Sequence, residues 1–353
     1  MATGFSGPIL QELLSLKVMK IATIDTIDTM LGIKYPLIVA PMFLISNTAM
    51  VMAAQDAGVT AAFPALNYRT DAELRKAIAE IKAHSDKPFG VNLIVNKSNT
   101  KYRAQLETLL ELGVSFIITS LGNPSEVIEK CRPLGIKVFC DVTDLAYAKK
   151  VEDLGADALI AVNSMAGGHT GKIEPETLVR LLVKECSIPV ISAGGIGTGK
   201  QFAEAMNWGA AGVQVGTIFI ASDEATVSSA YKQALIDYGA KDIVQTTKLS
   251  GSALTVINTP YVQKVGTTAS WIERLLIKNK WLKKYFKMFI ALRGMKQVEK
   301  ATFSASYQTY WCAGPSIEFV TKLEPLKNIV DRITSEYEIA TGHPEKQRSL
   351  NSN

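Results

Sequence analysis

The stretch IPVISAGGIGTGKQFAEAMNWGAAGVQVGT, residues 188–217, decides how the chain is read. It opens on a short, almost wholly apolar run (188–194), turns through glycines into a helical pattern, and returns to a second, almost wholly apolar run (210–216). Runs without polar alternation are strands buried on both faces, as in a parallel sheet covered by helices. Upstream the same unit recurs as LIVAP (37–41), VTAAFPAL (59–66), PFGVNLIV (88–95), VSFIITS (114–120), IKVFCDV (136–142) and DALIAV (157–162). Between them lie amphipathic stretches such as DAELRKAIAEIKAH (71–84) and TDLAYAKKVEDLG (143–155). Eight such units count out to a closed barrel. An open doubly wound sheet would want a GxGxxG turn after its first strand, and here that strand runs into Pro41-Met42-Phe43.

The expected fold is therefore α/β: a (β/α)8 TIM barrel with a C-terminal, mostly helical elaboration. Residues 1–240 form the barrel with an N-terminal extension, and 241–315 an inserted elaboration on the substrate side. A closing helix follows over 316–340, then a disordered tail over 341–353 with the composition of an unfolded segment.

With 353 residues, 47% apolar and 20% charged, the chain is long enough for one barrel plus additions. No apolar run approaches the about 20 residues needed to span a bilayer. The N-terminal MATGFSGPILQELLSLKVMK lacks the basic start and cleavage site of a signal peptide. Four scattered cysteines (Cys131, Cys140, Cys186, Cys312) have no metal-ligand spacing, so no metal is expected; they read as small buried hydrophobes in a reducing cytoplasm. Cys312, in Tyr310-Trp311-Cys312, is the one candidate for a reactive thiol.

The formal charge of +5 is local: residues 278–300 alone carry a net +7. That argues against a general nucleic-acid-binding surface. Within this segment Trp281, Tyr285, Phe289 and Leu292 recur at near-helical spacing among lysines. It reads either as an amphipathic helix for an anionic membrane or acidic partner, or as a helix packed on the barrel with solvated lysines, and the second is favoured.

Function in such a barrel sits at the C-terminal ends of the strands. After the sixth comes Met165-Ala166-Gly167-Gly168-His169-Thr170-Gly171. Gly167 and Gly168 admit close approach of a flat ligand, and His169 titrates near neutrality, so it can serve as a base or donor. Of three histidines (His84, His169, His343) only this one lies in such a loop; the alternative is a structural loop residue. After the seventh strand Gly194 and Gly195 precede a helix, and after the eighth come Gln214, Val215, Gly216 and Thr217. Glycines there free N–H groups for a phosphate, and a helix start adds positive potential. Pro41 and Met42 end the first strand, Asn92 the third and Ser120 the fourth. Asn92 offers a donor and an acceptor to a ring edge, or is a strand-end asparagine. Met42 faces a ring or belongs to the core.

Together APM (40–42), FGVN (89–92), AGGHTG (166–171), SAGGIGTG (192–199) and QVGT (214–217) resemble the nitronate monooxygenase (2-nitropropane dioxygenase) family, related to the flavin-dependent enoyl-acyl-carrier-protein reductases. The resemblance covers roughly residues 33–240. It implies FMN at the barrel mouth, with Asn92, Gly167, Gly195 and Gln214 to Thr217 around it and His169 as the catalytic residue. The implied substrates are a small alkyl nitronate or nitroalkane and O2, yielding a carbonyl compound and nitrite. An NAD(P)H-dependent enoyl-thioester reductase and an inactive flavin-binding scaffold are the alternatives. Three places depart from the family pattern: Val162 stands where many members have glutamine, Ala313-Gly314-Pro315 replaces AGQ, and Gly251-Ser252-Ala253 lacks an arginine counterpart.

Overall fold

The structure, a computed structural model, describes residues 25–96, 99–248, 253–268 and 310–342. The basic segment 278–300, His343 and nearly all of the tail, the first 24 residues and Gly251-Ser252 lie outside the described residues.

Eight parallel strands close into a barrel in sequence order: β1 (Leu37–Val39), β2 (Thr60–Pro64), β3 (Gly90–Ile94), β4 (Phe116–Ser120), β5 (Lys137–Val142), β6 (Ala158–Val162), β7 (Val190–Ala193) and β8 (Gly212–Val215). The ring is closed by β1 on β8, with Ile38 opposite Gln214. Every apolar run picked out from the sequence contains one of these strands. Helices α1 (Thr48–Asp56), α2 (Asp71–His84), α3 (Tyr102–Leu112), α4 (Ser125–Cys131), α5 (Leu145–Asp153), α6 (Pro175–Glu185) and α7 (Gly199–Asn207) alternate with them.

Alternation along each strand sends one set of side chains to the helices and the other to the lumen. The lumen set is a compact apolar cluster of Ile38, Ala62, Phe116, Ile118, Phe139, Ala158, Ile160, Ile191 and Ala193. Phe116 and Phe139 stack there, ring centroids 5.0 Å apart. Below them the short helix Ile27–Leu31 closes the N-terminal end, with Ile27 N donating to Ala211 O at 2.9 Å. Layered filling of this kind makes the barrel a packed core.

The eighth helix position is taken by α8 (Leu326–Ala340), which packs between α7 and α1. Tyr337 stacks on Phe202 of α7 at 4.1 Å between centroids. A continuous helix over 316–340 is not what forms. Residues Pro315–Phe319 make a 3-10 turn and α8 starts only after Pro325, whose ring disfavours helical backbone in the residue before it. In the described part of the elaboration, β9 (Ile243–Thr246) pairs antiparallel with β10 (Leu254–Ile257), followed by the short helix Pro260–Val265.

Gly90 lets Phe116 occupy the lumen, because a Cβ there would lie 2.1 Å from the Phe116 ring. Gly90→Ala is expected to destabilise the fold by about 1–3 kcal/mol, the usual range for overpacking. Urea denaturation should show a lower midpoint at unchanged slope.

Candidate active site

Strand parity continues above the apolar lumen, and its last layer is polar. Asn92 on β3, Ser120 on β4, Asp141 on β5 and Gln214 on β8 each stand two residues beyond a lumen-facing position, at the C-terminal end. The first three are joined. Asn92 Nδ2 donates to Ser120 Oγ at 2.7 Å and to Ile118 O at 3.2 Å, and Ser120 Oγ donates to Asp141 Oδ2 at 2.5 Å. Both Asn92 amide hydrogens are thus used within the protein, so Asn92 keeps only Oδ1 for a ligand and not the donor expected from the sequence.

Two acceptors in this layer, Asp141 Oδ1 and Gln214 Oε1, are buried without a partner among the described residues. Asp141 is half-buried as a residue, but Oδ1 is sealed, and its desolvation pushes the carboxyl up to about 6, partly offset by the Ser120 hydrogen bond. Asp141 is absent from the sequence-derived site. The available signal was a carboxylate inside the otherwise apolar run 136–142, in register with the lumen.

The loop after β6 is tied down by Asn163, which is fully buried. Its Oδ1 accepts from Met165 N at 2.9 Å, its carbonyl from Gly171 N at 3.1 Å and Thr170 Oγ1 at 2.9 Å. Its Nδ2 donates to Gly194 O at 3.1 Å, binding this loop to the one after β7. Gly194 (φ +119°) has no room for a side chain: a Cβ would fall 2.3 Å from Asn163 Oδ1. From the other side Thr255 Oγ1 donates to Ala166 O at 2.5 Å. Gly168–His169 form a two-residue strand on β10, with His169 opposite Leu254. The histidine is therefore set on a sheet edge at the mouth. Solvent reaches it, yet the protein packed around it disfavours the imidazolium and lowers its pKa below 6.5. No described residue bonds its ring.

The remaining sequence-derived residues gather on the same rim. Met42 is held by Met42 N donating to Ser46 Oγ at 2.9 Å, and its Sδ would lie 3.4 Å from a Cβ on Gly216. It is half-buried, packing on the core while edging the mouth beside Pro41. Gly167 lies close against Gly314 and Thr217, and Gly314 N donates to Thr217 Oγ1 at 2.9 Å. Ala313-Gly314 therefore belongs to the rim. Val215 is buried among the helices, which leaves only its backbone for the site. Gly195 (φ +83°) abuts Met165.

The α7 start contributes less than the sequence suggested. Gly197 N and Thr198 N donate to Gln201 Oε1, Gln201 N to Thr198 Oγ1, and Gly199 N to Glu336 Oε2 at 2.7 Å. These donors are satisfied internally. Those before the cap, at Gly195 and Ile196, have no acceptor among the described residues.

Burial pushes the half-buried Cys312 thiol up to about 11, which disfavours the thiolate that a reactive cysteine needs. Among the described residues no group of three or more His, Cys, Asp or Glu is placed to hold a metal ion, and no helix is long and apolar enough to cross a membrane.

A family model described as nitronate monooxygenase matches residues 25–336. A (3aS,4S,5R,7aS)-5-hydroxy-7a-methyl-1-oxo-octahydro-1H-indene-4-carboxyl-CoA dehydrogenase of Rhodococcus jostii is 31% identical over 236 residues, 67% of this chain and 66% of the relative. A nitronate monooxygenase of Paraburkholderia phytofirmans is 31% identical over 268 residues, 63% of this chain and 73% of the relative. The solved structure of FabK from Thermotoga maritima superposes with a TM-score of 0.78 at 28% identity, over 93% of this chain and 100% of that one.

An acid whose folded pKa is raised costs stability once it must ionise. For Asp141 the cost is absent below about 3.8, grows up to about 6 and is constant above. Asp141→Asn is expected to be the more stable protein at pH 7.5, by at most about 3 kcal/mol. The gain should shrink as the pH falls from 6 toward 4, measured by denaturant unfolding across that range.

Proposed function

The chain belongs to the nitronate monooxygenase family, and from that premise we propose that it is an FMN-dependent oxidoreductase acting on a small carbanion-like substrate. The substrate is an alkyl nitronate or its parent nitroalkane, and O2 is the oxidant, giving a carbonyl compound and nitrite. The observation that carries this reading is His169, set on a sheet edge at the mouth near a polar lumen layer whose acceptors Asp141 Oδ1 and Gln214 Oε1 have no partner among the described residues.

The residues present fit FMN. Unused N–H groups at Gly195 and Ile196, with the Gly216-Thr217 turn beside them on the neighbouring strand, suit a phosphate. Met42, Gly167 and Gly168 offer a flat approach from above the lumen. Asp141 Oδ1 and Gln214 Oε1 call for hydrogen-bond donors, and the oxidised flavin ring and its ribityl chain carry them. When bound, the cofactor supplies a two-electron acceptor whose reduced form reacts with O2.

The chain's own residues do the rest. With its imidazolium disfavoured by desolvation, His169 is neutral at pH 7 and can take the α-proton of a nitroalkane. Once protonated, it can hold the resulting anion by an N–H hydrogen bond. The pairing of Gly168-His169 with β10 and the Asn163 ties restrict the imidazole to one region of the mouth, as a base must be within reach of its proton.

A second reading is favoured by one relative, whose name specifies a carboxyl-CoA dehydrogenase. Carbon α to a thioester carbonyl is also a latent carbanion, so the same histidine would serve an acyl thioester, with NAD(P)H as the reductant if the reaction runs toward reduction. Anaerobic mixing separates the two: a nitronate should bleach the flavin under the first reading, and NAD(P)H under the second.

His169→Asn is expected to keep bound FMN and lose about 10²–10⁴-fold in turnover of neutral nitroalkanes. Preformed nitronates, which need no deprotonation, should lose less. Because burial lowers the His169 pKa, the acid limb of wild-type kcat/KM on a nitroalkane should lie at lower pH than for an ordinary imidazole, and the variant should lack that limb. Equal turnover of both substrates by variant and wild type would remove His169 from the mechanism.

A further inference from the structure

The hydrogen bonds of the polar layer run one way. Asn92 donates to Ser120, and Ser120 donates to Asp141. The chain ends on an acceptor, and the other oxygen of that carboxyl, Oδ1, is sealed from solvent without a donor. Ile118, Phe139 and Ile160 below it have only apolar side chains to offer. A buried acceptor left unpaired costs about 1–3 kcal/mol, and more when charged. The missing donor must therefore come from above, from whatever occupies the mouth.

Strand order says which part of a ligand that is. The chain stands on β3, β4 and β5, and in the closed ring β3 lies across from β7, β4 across from β8 and β5 across from β1. The glycine turns suited to a phosphate follow β7 and β8, two and three strands round the ring from β5, so the hydrogen-bonded chain that ends on Asp141 borders the part of the ligand remote from its phosphate. In oxidised FMN that remote part, the isoalloxazine, carries a single N–H, at N3.

We propose that Asp141 is a further flavin-binding residue, accepting a hydrogen bond from the isoalloxazine N3–H through Oδ1 and keeping a negative charge beside the ring. This rests on the FMN reading given above and extends it to a residue outside the recognised motifs. At pH 8 the carboxyl is ionised. The titratable groups that sense it, Tyr147 on α5 and Cys140 on its own strand, are both held above their ordinary values and are uncharged there, so neither neutralises it. A fixed negative charge at this place opposes the charge the ring gains on reduction, and so lowers the reduction potential of the flavin.

The test reads binding and potential, not turnover. Apo-protein is reconstituted at pH 8 with FMN and with N3-methyl FMN, for wild type, Asp141→Leu and Asp141→Asn. Wild type is expected to bind FMN at least about tenfold more tightly than the methylated cofactor, as for a hydrogen bond to a charged group. Asp141→Leu should lose about tenfold in FMN affinity and with it the discrimination. Asp141→Asn, which keeps an acceptor but no charge, should bind FMN and show a more positive midpoint potential in a dye-coupled titration. If wild type binds FMN but Asp141→Leu binds it equally well, or Asp141→Asn leaves the potential unchanged, Asp141 is a structural acid and the proposal fails alone. If wild type binds no FMN, the cofactor reading fails and takes the proposal with it.

Discussion

The closing ladder between β1 and β8 is the constraint on which everything else depends. Strand side chains alternate with a period of two, so one register decides for the whole ring which residues enter the lumen. With Ile38 set opposite Gln214, the apolar cluster fills the barrel and Asn92, Ser120, Asp141 and Gln214 form the layer above it. A slip by one residue on any of these strands would exchange a polar group at the mouth for a buried Val, Thr or Cys. The packing of the core and the chemistry of the site are thus two consequences of one alternation.

Above that layer the loops are fixed by a single buried amide. Asn163 satisfies donors and acceptors from the loops after β6 and β7. Where many family members carry a glutamine, this chain has Val162 in the lumen register, beside the asparagine that holds the loops. The departure leaves loop anchoring intact and makes the lumen more apolar under the histidine.

Much of this was legible in the sequence because strands buried on both faces have a composition that surface strands lack. All eight barrel strands, the rim glycines and the histidine loop follow from that composition and from glycine placement. What sequence could not supply was pairing between distant residues. Asp141 matters only because β4 presents Ser120 to it, and the start of α7 is silent only because Gln201 and Glu336 reach its N–H groups. The β10 edge that carries His169 arises from a residue pair 85 apart in the chain, Leu254 with His169, with no local signal for it. Likewise Pro325, read as one residue inside a helical pattern, is its boundary.

The place of α8 has a consequence for how the molecule is made. Its eighth helix is separated from the eighth strand by the segment that supplies β9 and β10, so the α7 face bearing Phe202 stays uncovered until Tyr337 has been synthesised. At about 5–20 residues per second this delay is on the order of ten seconds on the ribosome. Until then the ring lacks the helix that covers one apolar flank of α7. That flank is covered only when the last helix arrives.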